Sequence, residues 1–501
     1  MTVEVKAQET QVAETFAEPI NVADEAEKVD VVNGETEVKK VDDEPTSKTV
    51  EKSSSYREES NFLSDLKDNE RKALNDFKTK LEEAILGNNL FNKEDKKETE
   101  KEEDKPEGEE EKEKDQAAAK EGGEGEKKEE SKAEGEVKED NEQKPEAGDE
   151  EKGVEIDKDI SIWGIPLLPS KGVEGTDVVL LKFLRAREFK VNEAFEMLKK
   201  TLQWRKEFNI DSILNEDLGT DLASAAYMSG VDREGHPICY NIFGVLKNAE
   251  KTFGTEEKRN QFLRWRFQFM EKGIQKLDFK AGGVNSLLQI NDLKNSPGPT
   301  KKVLRVATMQ AIGALQDNYP EFVARNIFIN VPFWFYAFHA ILSPFLTQRT
   351  KSKFLVARPA KVTETLLKYI RIEEIPVQYG GFKRDNDFEF SNEDAEASEL
   401  IVKAGSTETI ELPMAEIGTT FLWDLTVWGW EVSYKEEFVP TDEGSYTIIV
   451  QKGKKMGIHE APIRNTFTNN EPGKIVLTIE NNSSKKKKVS YRYKTKKSST
   501  F

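Results

Sequence analysis

Ile327-Phe-Ile-Asn-Val-Pro-Phe-Trp-Phe-Tyr-Ala-Phe-His-Ala-Ile-Leu-Ser-Pro-Phe-Leu346 contains no Asp, Glu, Lys or Arg. A run of this length could cross a bilayer. Asn330, Pro332, His339, Ser343 and Pro344 are each costly in hydrocarbon. Ile327-Phe328-Ile329 instead reads as a short buried strand that Pro332 ends, with an apolar helix beginning at Phe333. Tyr319-Pro320-Glu321 precedes the run and Thr350-Lys351-Ser352-Lys353 follows it. A carboxylate and a lysine thus bracket a large greasy surface, an arrangement suited to enclosing an oily molecule with a polar head.

The chain has 501 residues and one Cys, so no disulfide forms within it. That usage fits the cytosol. Met1–Thr10 is acidic and lacks an apolar core, unlike a secretory signal or a basic transit peptide. The net charge of −19 is unevenly spread. Residues 1–150 hold 48 acidic and 25 basic side chains, a net of −23, which leaves 46 and 50, a net of +4, for residues 151–501. The second portion is long enough for two ordinary domains.

Stretches 1–59 and 91–158 are polar, acidic and aperiodic, and are expected to be disordered because they cannot bury enough apolar surface to offset ordering entropy. Between them, in 60–90, Leu63, Leu66, Leu74, Phe77, Leu81 and Ile85 recur at helical spacing, with Ser64 as the expected cap. Its polar face mixes acids and bases, which favours docking on the next domain over a membrane role. Residues 159–215 read as an apolar entry segment and two helices. Residues 216–385 alternate strands (His236–Ile242, Ser286–Asp292, Asn326–Val331, Lys353–Ala357) with helices (Glu257–Phe279, Thr300–Asn318), the order of an α/β layer with a mostly parallel sheet. After a polar linker, 386–396, the period changes to two. Residues 397–497 carry six short strands (406–412, 418–428, 431–438, 446–451, 474–480 and 488–494), the pattern of an all-β sandwich.

Enzyme chemistry finds little support. His236, His339 and His459 lack the spacing of a metal site, and one Cys supplies no thiolate cluster. No nucleophile elbow, phosphate loop or dinucleotide fingerprint is present. Neither a catalytic residue nor a metal is therefore expected. The stretch Phe333–Leu342 is greasy on nearly every side, so it is either a core helix or a lid over a lipid cavity.

The C-terminus is basic. Lys485, Lys486, Lys487, Lys488, Arg492 and Lys494 stand in a run without acids, and Lys452, Lys454 and Lys455 could join them. Lysines also protect soluble edge strands. Clustered cations favour an anionic membrane surface, at ~1 kcal/mol per cation close to the bilayer. The acidic N-terminal third disfavours nucleic acid as a partner.

A family resemblance rests on motifs that occur in order. Leu180-Leu-Lys-Phe-Leu-Arg-Ala-Arg-Glu-Phe189, Trp204-Arg205, Asp232-Arg-Glu-Gly-His-Pro237, Asp317-Asn-Tyr-Pro-Glu321, Ser343-Pro-Phe345, Ser352-Lys353 and Val377-Gln-Tyr-Gly-Gly381 together resemble a CRAL-TRIO lipid-transfer domain of the yeast secretory phosphatidylinositol-transfer type. Trp430-Glu-Val-Ser-Tyr434, Gly473-Lys-Ile-Val-Leu-Thr478 and Tyr491-Arg492 resemble a GOLD domain. An acidic tail ahead of both is similar to the plant patellins. The resemblance implies a multidomain chain: disordered acidic N-terminal region, α/β lipid-binding domain with an N-terminal helical subdomain, and C-terminal GOLD sandwich.

The resemblance also implies a gate helix over a lipid cavity, carrying Phe333, Trp334, Phe335, Phe338, Ile341, Leu342 and Phe345. Glu321 and Lys353 match the pair that holds an inositol headgroup, and Thr350 and Arg187 match further headgroup contacts. Lys353 offers a point charge to phosphate, and Glu321 accepts from hydroxyls. The implied ligand is a phosphatidylinositol or phosphoinositide, with no other cofactor. The implied partners are anionic membranes and, through the GOLD domain, trafficking proteins. The implied setting is the cytoplasm and peripheral membrane: plasma membrane, endosomal vesicles or cell plate. Leu287 and Gln289 stand where choline-lipid exchangers carry hydroxyl residues, which argues against phosphatidylcholine exchange. A GOLD-centred trafficking adaptor and a carrier of another hydrophobe are the rival readings.

Overall fold

The computed structural model describes residues 57–91, 158–298, 302–342, 348–391, 394, 396–457 and 460–497. The disorder expected for 1–56 and 92–157 concerns residues outside this set, as do Phe345 and His459.

Helix α1 spans Asp68–Leu86. Its start differs from the sequence expectation. Ser64 lies in a preceding 3-10 turn, and Lys67 is the N-cap, its backbone N–H donating to Glu70 Oε2 at 3.1 Å. The apolar stripe Leu74, Phe77, Leu81 and Ile85 is buried against α2 (Glu174–Ala186) and α3 (Val191–Glu207). Burying each of these side chains is worth on the order of 2 kcal/mol. A short ribbon, β1 (Ser161–Ile162) and β2 (Ile165–Pro166), brings Trp163 onto the same core.

The central sheet runs β3-β4-β5-β6-β7. Strands β4 (Pro237–Ile242), β5 (Leu287–Asp292), β6 (Val323–Ile329) and β7 (Phe354–Ala357) are parallel. Strand β3 (Ala226–Val231), which carries no clear alternation in sequence, pairs antiparallel with β4 at the edge. Alternate residues Ile238, Tyr240, Leu288, Ile290, Ile327 and Ile329 pack on the segment 362–382, which includes α8 (Val362–Leu367). Helices α4 (Glu256–Ile274) and α5 (Lys302–Asn318) pack together, joining Phe262 and Trp265 to Leu304, Ala307 and Ala311. The quoted apolar run becomes the end of β6 followed by α6 (Phe333–Leu342). A short helix α7 (Gln348–Ser352) then leads into β7. Among the described residues no helix is long and apolar enough to cross a membrane.

The C-terminal module is two antiparallel four-stranded sheets. One is ordered β13-β10-β15-β8 and the other β12-β11-β14-β9. Strands β8 (Ser398–Val402) and β13 (Ile463–Thr468) were not anticipated, and β12 is Ile448–Met456. The remaining strands are β9 (Ser406–Met414), β10 (Thr419–Val427), β11 (Val432–Pro440), β14 (Gly473–Asn481) and β15 (Lys487–Lys497). Phe421, Trp423, Leu425 and Val427 point into the sandwich.

The polar segment expected as a linker is clamped to the sandwich. Asp424 on β10 is fully buried and accepts from Arg384 at 2.9 Å, Arg464 at 2.7 Å and Arg492 at 2.8 Å. Asp387 accepts from both ends of Arg464 at 2.7 and 2.8 Å. Phe390 is buried beneath the Arg492 guanidinium.

Candidate functional site

Glu321 sits between α5 and β6 with a left-handed backbone, φ 55°. A non-glycine residue adopts this conformation at a cost that surrounding contacts must hold. Those contacts are visible. Lys182, in the middle of apolar α2, donates to the Glu321 carbonyl at 2.8 Å and to the Asn285 carbonyl at 2.7 Å, and lies over the Phe322 ring. The turn thereby aims the Glu321 carboxylate at α7 and β7.

There it meets two cations. Lys353 Nζ donates to Glu321 Oε2 at 2.7 Å and to the Val323 carbonyl at 2.8 Å. Arg349 donates through Nε and Nη2 at 2.7 and 3.1 Å. Arg349 and Lys353, four residues apart, would repel without an anion between them. Burial raises the Glu321 carboxyl, but the Arg349 hydrogen bond and the Lys353 and Arg349 charges outweigh it and hold the pKa at about 2. The Glu321–Lys353 pair expected from sequence is therefore brought together, with Arg349 as a third member.

The remaining headgroup expectations fare differently. Thr350 sits beside Arg349 on α7, and its carbonyl accepts from the Lys353 N–H at 3.2 Å. Arg187 is not part of the cluster: it follows the last turn of α2, with Nη1 on the Ala186 carbonyl, and faces Asp317. Lys182 and Arg185 take the position instead. They are three residues apart and so share a helix face, whereas Arg187 points elsewhere.

Arg185 leads to a segment that the sequence assigned to the tail. Glu59 accepts from Arg349 Nη1 at 2.5 Å and Nη2 at 2.7 Å, and pairs with Arg185 Nε at 3.0 Å. Arg185 also holds Asn61 Oδ1 and the Ser60 carbonyl, both at 2.6 Å. Glu58 accepts from Ser286 at 2.6 Å and contacts His236 Nε2 at 2.8 Å, and Asp232 contacts His236 Nδ1 at 2.9 Å. Burial alone would lower the His236 pKa, but Asp232 and Glu58 push it up to about 10. A cavity of about 180 Å³ lies among Glu58, Glu59, Lys182, Arg185, Glu321 and Arg349. Lys182 and Arg185 stand out as cations three apart in the apolar stretch 178–186; Glu58, Glu59, His236 and Ser286 left no local signal.

The expected gate residues divide. Phe335 is buried, 5.0 Å from Phe328 on β6, and Trp334 is half-buried. Phe333 is 87% exposed and so does not line an interior cavity, because it starts the helix just after Pro332 on the solvent side. Phe338, Ile341 and Leu342 belong to α6.

The basic patch is smaller than the sequence suggested. Lys485 and Lys486 are exposed. Lys487 pairs with Glu431 at 3.1 Å, and Lys488 lies over Trp428 and 3.7 Å from Glu399. Arg492 is not on the surface, since alternation along β15 turns it onto Asp424 and Asp387 beneath the clamp. Lys494 follows it onto Asp394 at 3.3 Å. Lys452, Lys454 and Lys455 are exposed on β12, an edge strand of the other sheet.

A strand-floored α/β module, its helical N-terminal part and a clamped β-sandwich define a protein of the CRAL-TRIO and GOLD class. Residues 73–200 match the CRAL/TRIO N-terminal domain, 223–381 the CRAL/TRIO domain, and 403–487 the Patellin-1-like C-terminal GOLD domain. The chain is 56% identical to Patellin-4 of Arabidopsis thaliana over 545 aligned residues, covering 100% of both chains. It is 51% identical to Patellin-3 of the same plant, covering 70% of this chain and 72% of that one. It is 29% identical to the phosphatidylinositol transfer protein SFH5 of Kluyveromyces lactis, covering 48% of this chain and 80% of that one. The chain belongs to the patellin family.

Proposed function

We propose that this protein binds a phosphoinositide in its CRAL/TRIO module and carries or senses that lipid at membrane surfaces during trafficking, including cell-plate formation. The Lys353–Glu321–Arg349 array carries the reading: two cations and a carboxylate converge at one edge of the sheet, where an inositol phosphate needs both donors and an acceptor. Kinship with a protein named for phosphatidylinositol transfer supports it. Leu287 and Gln289, both on β5, offer no hydroxyl for a choline lipid. Exposed Lys485 and Lys486 supply attraction to an anionic peripheral membrane, and the GOLD module offers a surface for trafficking proteins.

The test is binding to phosphatidylcholine vesicles containing single inositol lipids. The variants are Glu321→Ala/Lys353→Ala and Lys485→Ala/Lys486→Ala. The pocket pair is expected to abolish selectivity among headgroups, and the surface pair to weaken all anionic vesicles alike. Unchanged selectivity in the pocket variant would overturn the assignment.

A further inference from the structure

We infer that Arg185 and Arg349 form a phosphomonoester-binding subsite beside Glu321 and Lys353, and that Glu59, with Glu58 next to it, occupies this subsite until a phosphorylated headgroup displaces it. The inference rests on the headgroup reading of Glu321 and Lys353 and adds which headgroups are favoured and what they compete with.

Glu59 binds as a phosphate oxygen pair would. Its two oxygens take both terminal nitrogens of Arg349 at 2.5 and 2.7 Å, the bidentate fork that a guanidinium offers to carboxylate and phosphate alike. One of those oxygens also pairs with Arg185 Nε. The charges match as well. Lys182, Arg185, His236, Arg349 and Lys353 converge on Glu58, Glu59, Asp232 and Glu321. Withdrawing Glu58 and Glu59 removes two negative charges, about what a phosphomonoester brings at neutral pH.

Space makes the same point. The cavity of about 180 Å³ beside the segment is smaller than the ~300–1,000 Å³ of sites that enclose a ligand of drug size. A headgroup needs room that Glu58–Phe62 now fill. Those residues can leave without unravelling a helix, since Glu59, Ser60 and Phe62 are exposed and α1 begins only at Asp68, and the displacing headgroup must offset the lost Glu58 contacts with His236 and Ser286 and the Asn61 contact with Arg185.

The experiment uses the full chain with phosphatidylcholine vesicles containing either phosphatidylinositol or a phosphatidylinositol monophosphate, and soluble inositol bisphosphate and inorganic phosphate alongside. Glu59→Gln keeps the shape of an exposed side chain and removes its charge. It is expected to tighten monophosphate binding about tenfold, the effect of losing one charge-assisted competitor, and to leave phosphatidylinositol within about twofold. Arg349→Gln is expected to erase the preference for the monophosphate. In the wild type, hydrogen exchange at residues 58–62 is expected to rise when monophosphate vesicles bind.

An equal gain for both lipids, no gain, or unchanged exchange at 58–62 in the bound state would overturn the inference. A gain with inorganic phosphate but not with vesicles would overturn its assignment to a lipid headgroup. The headgroup reading fails separately: if the wild type binds neither inositol lipid better than plain phosphatidylcholine, or Lys353→Ala loses nothing, Glu321 and Lys353 are not the site. If Lys353→Ala loses both lipids while Glu59→Gln changes neither, only the competitor falls.

Discussion

His236 shows how a residue that looked inert in the sequence becomes part of the site. In sequence it is only a histidine without metal-site spacing, yet Asp232 and Glu58 grip both ring nitrogens and raise its pKa from 6.5 to about 10. A raised histidine stabilises fully below its unfolded pKa and loses that contribution as pH climbs through the folded value. Glu58 is the mirror case. Burial opposes its ionisation, but the His236 and Ser286 hydrogen bonds hold it at about 2, so its contribution is present above 4.5 and fades as pH falls through 2. Lys182 runs the other way: burial pushes it down to about 7 against the Glu58 charge, so the cost of holding it charged is full below about 7 and is relieved as pH rises. The Glu58–His236 contact that docks residues 57–61 is therefore at full strength between roughly pH 4.5 and 6.5. Hydrogen exchange at 58–62, corrected for intrinsic rate, is expected to show more protection near about pH 6 than near about pH 9; equal protection would contradict the assignment. At this scale Glu321 and Lys353 were legible through their motifs. Their partners were not, because Glu58 lies 178 residues from His236 and 228 from Ser286, and no periodicity reports a contact of that range.

Strand β15 shows what alternation does to a basic run. In sequence its lysines and arginine form one cationic block; in the sheet, Arg492 and Lys494 turn onto Asp424, Asp387 and Asp394, while Lys485 and Lys486 stay in solvent just before it. Period two was legible, but which face a neighbour would cover was not, because the cover comes from Arg384, Asp387, Phe390 and Asp394, whose polar surroundings read as a tether. The same cover accounts for Asp424 on β10, which faces away from the inward set and is fully buried under Arg384. Lys485→Ala/Lys486→Ala is expected to weaken binding to anionic vesicles by about 1 kcal/mol per lysine, roughly fivefold each, whereas Lys494→Ala is expected to leave it unchanged. Vesicle co-sedimentation at low salt reads the difference, and an equal loss from Lys494→Ala would restore the larger patch.

For the whole molecule the boundary that matters falls near residue 57. The acidic third is not one unit, since α1 supplies Leu74, Phe77, Leu81 and Ile85 to the core of the helical subdomain. Removing residues 1–150 would therefore remove part of the fold, whereas removing 1–56 takes away 14 acidic and 6 basic side chains, a net of −8, and leaves the docked segment in place. That truncation is expected to raise affinity for anionic vesicles at low salt, with the gain vanishing as the Debye length shrinks to ~10 Å near 0.1 M; no gain at low salt would remove the acidic tail as an electrostatic brake. Fold class and domain order were legible here because each module keeps its own period. The clamp between modules and the seat of residues 58–61 are products of tertiary contact alone. The seat also has a consequence in time. Arg349 lies 290 residues beyond Glu59 in the chain. A ribosome adding ~5–20 residues per second takes roughly 15–60 s to cover that distance. A nascent chain therefore displays Glu58 and Glu59 long before the residues that seat them exist, and the segment is held in waiting until Arg349 has been made.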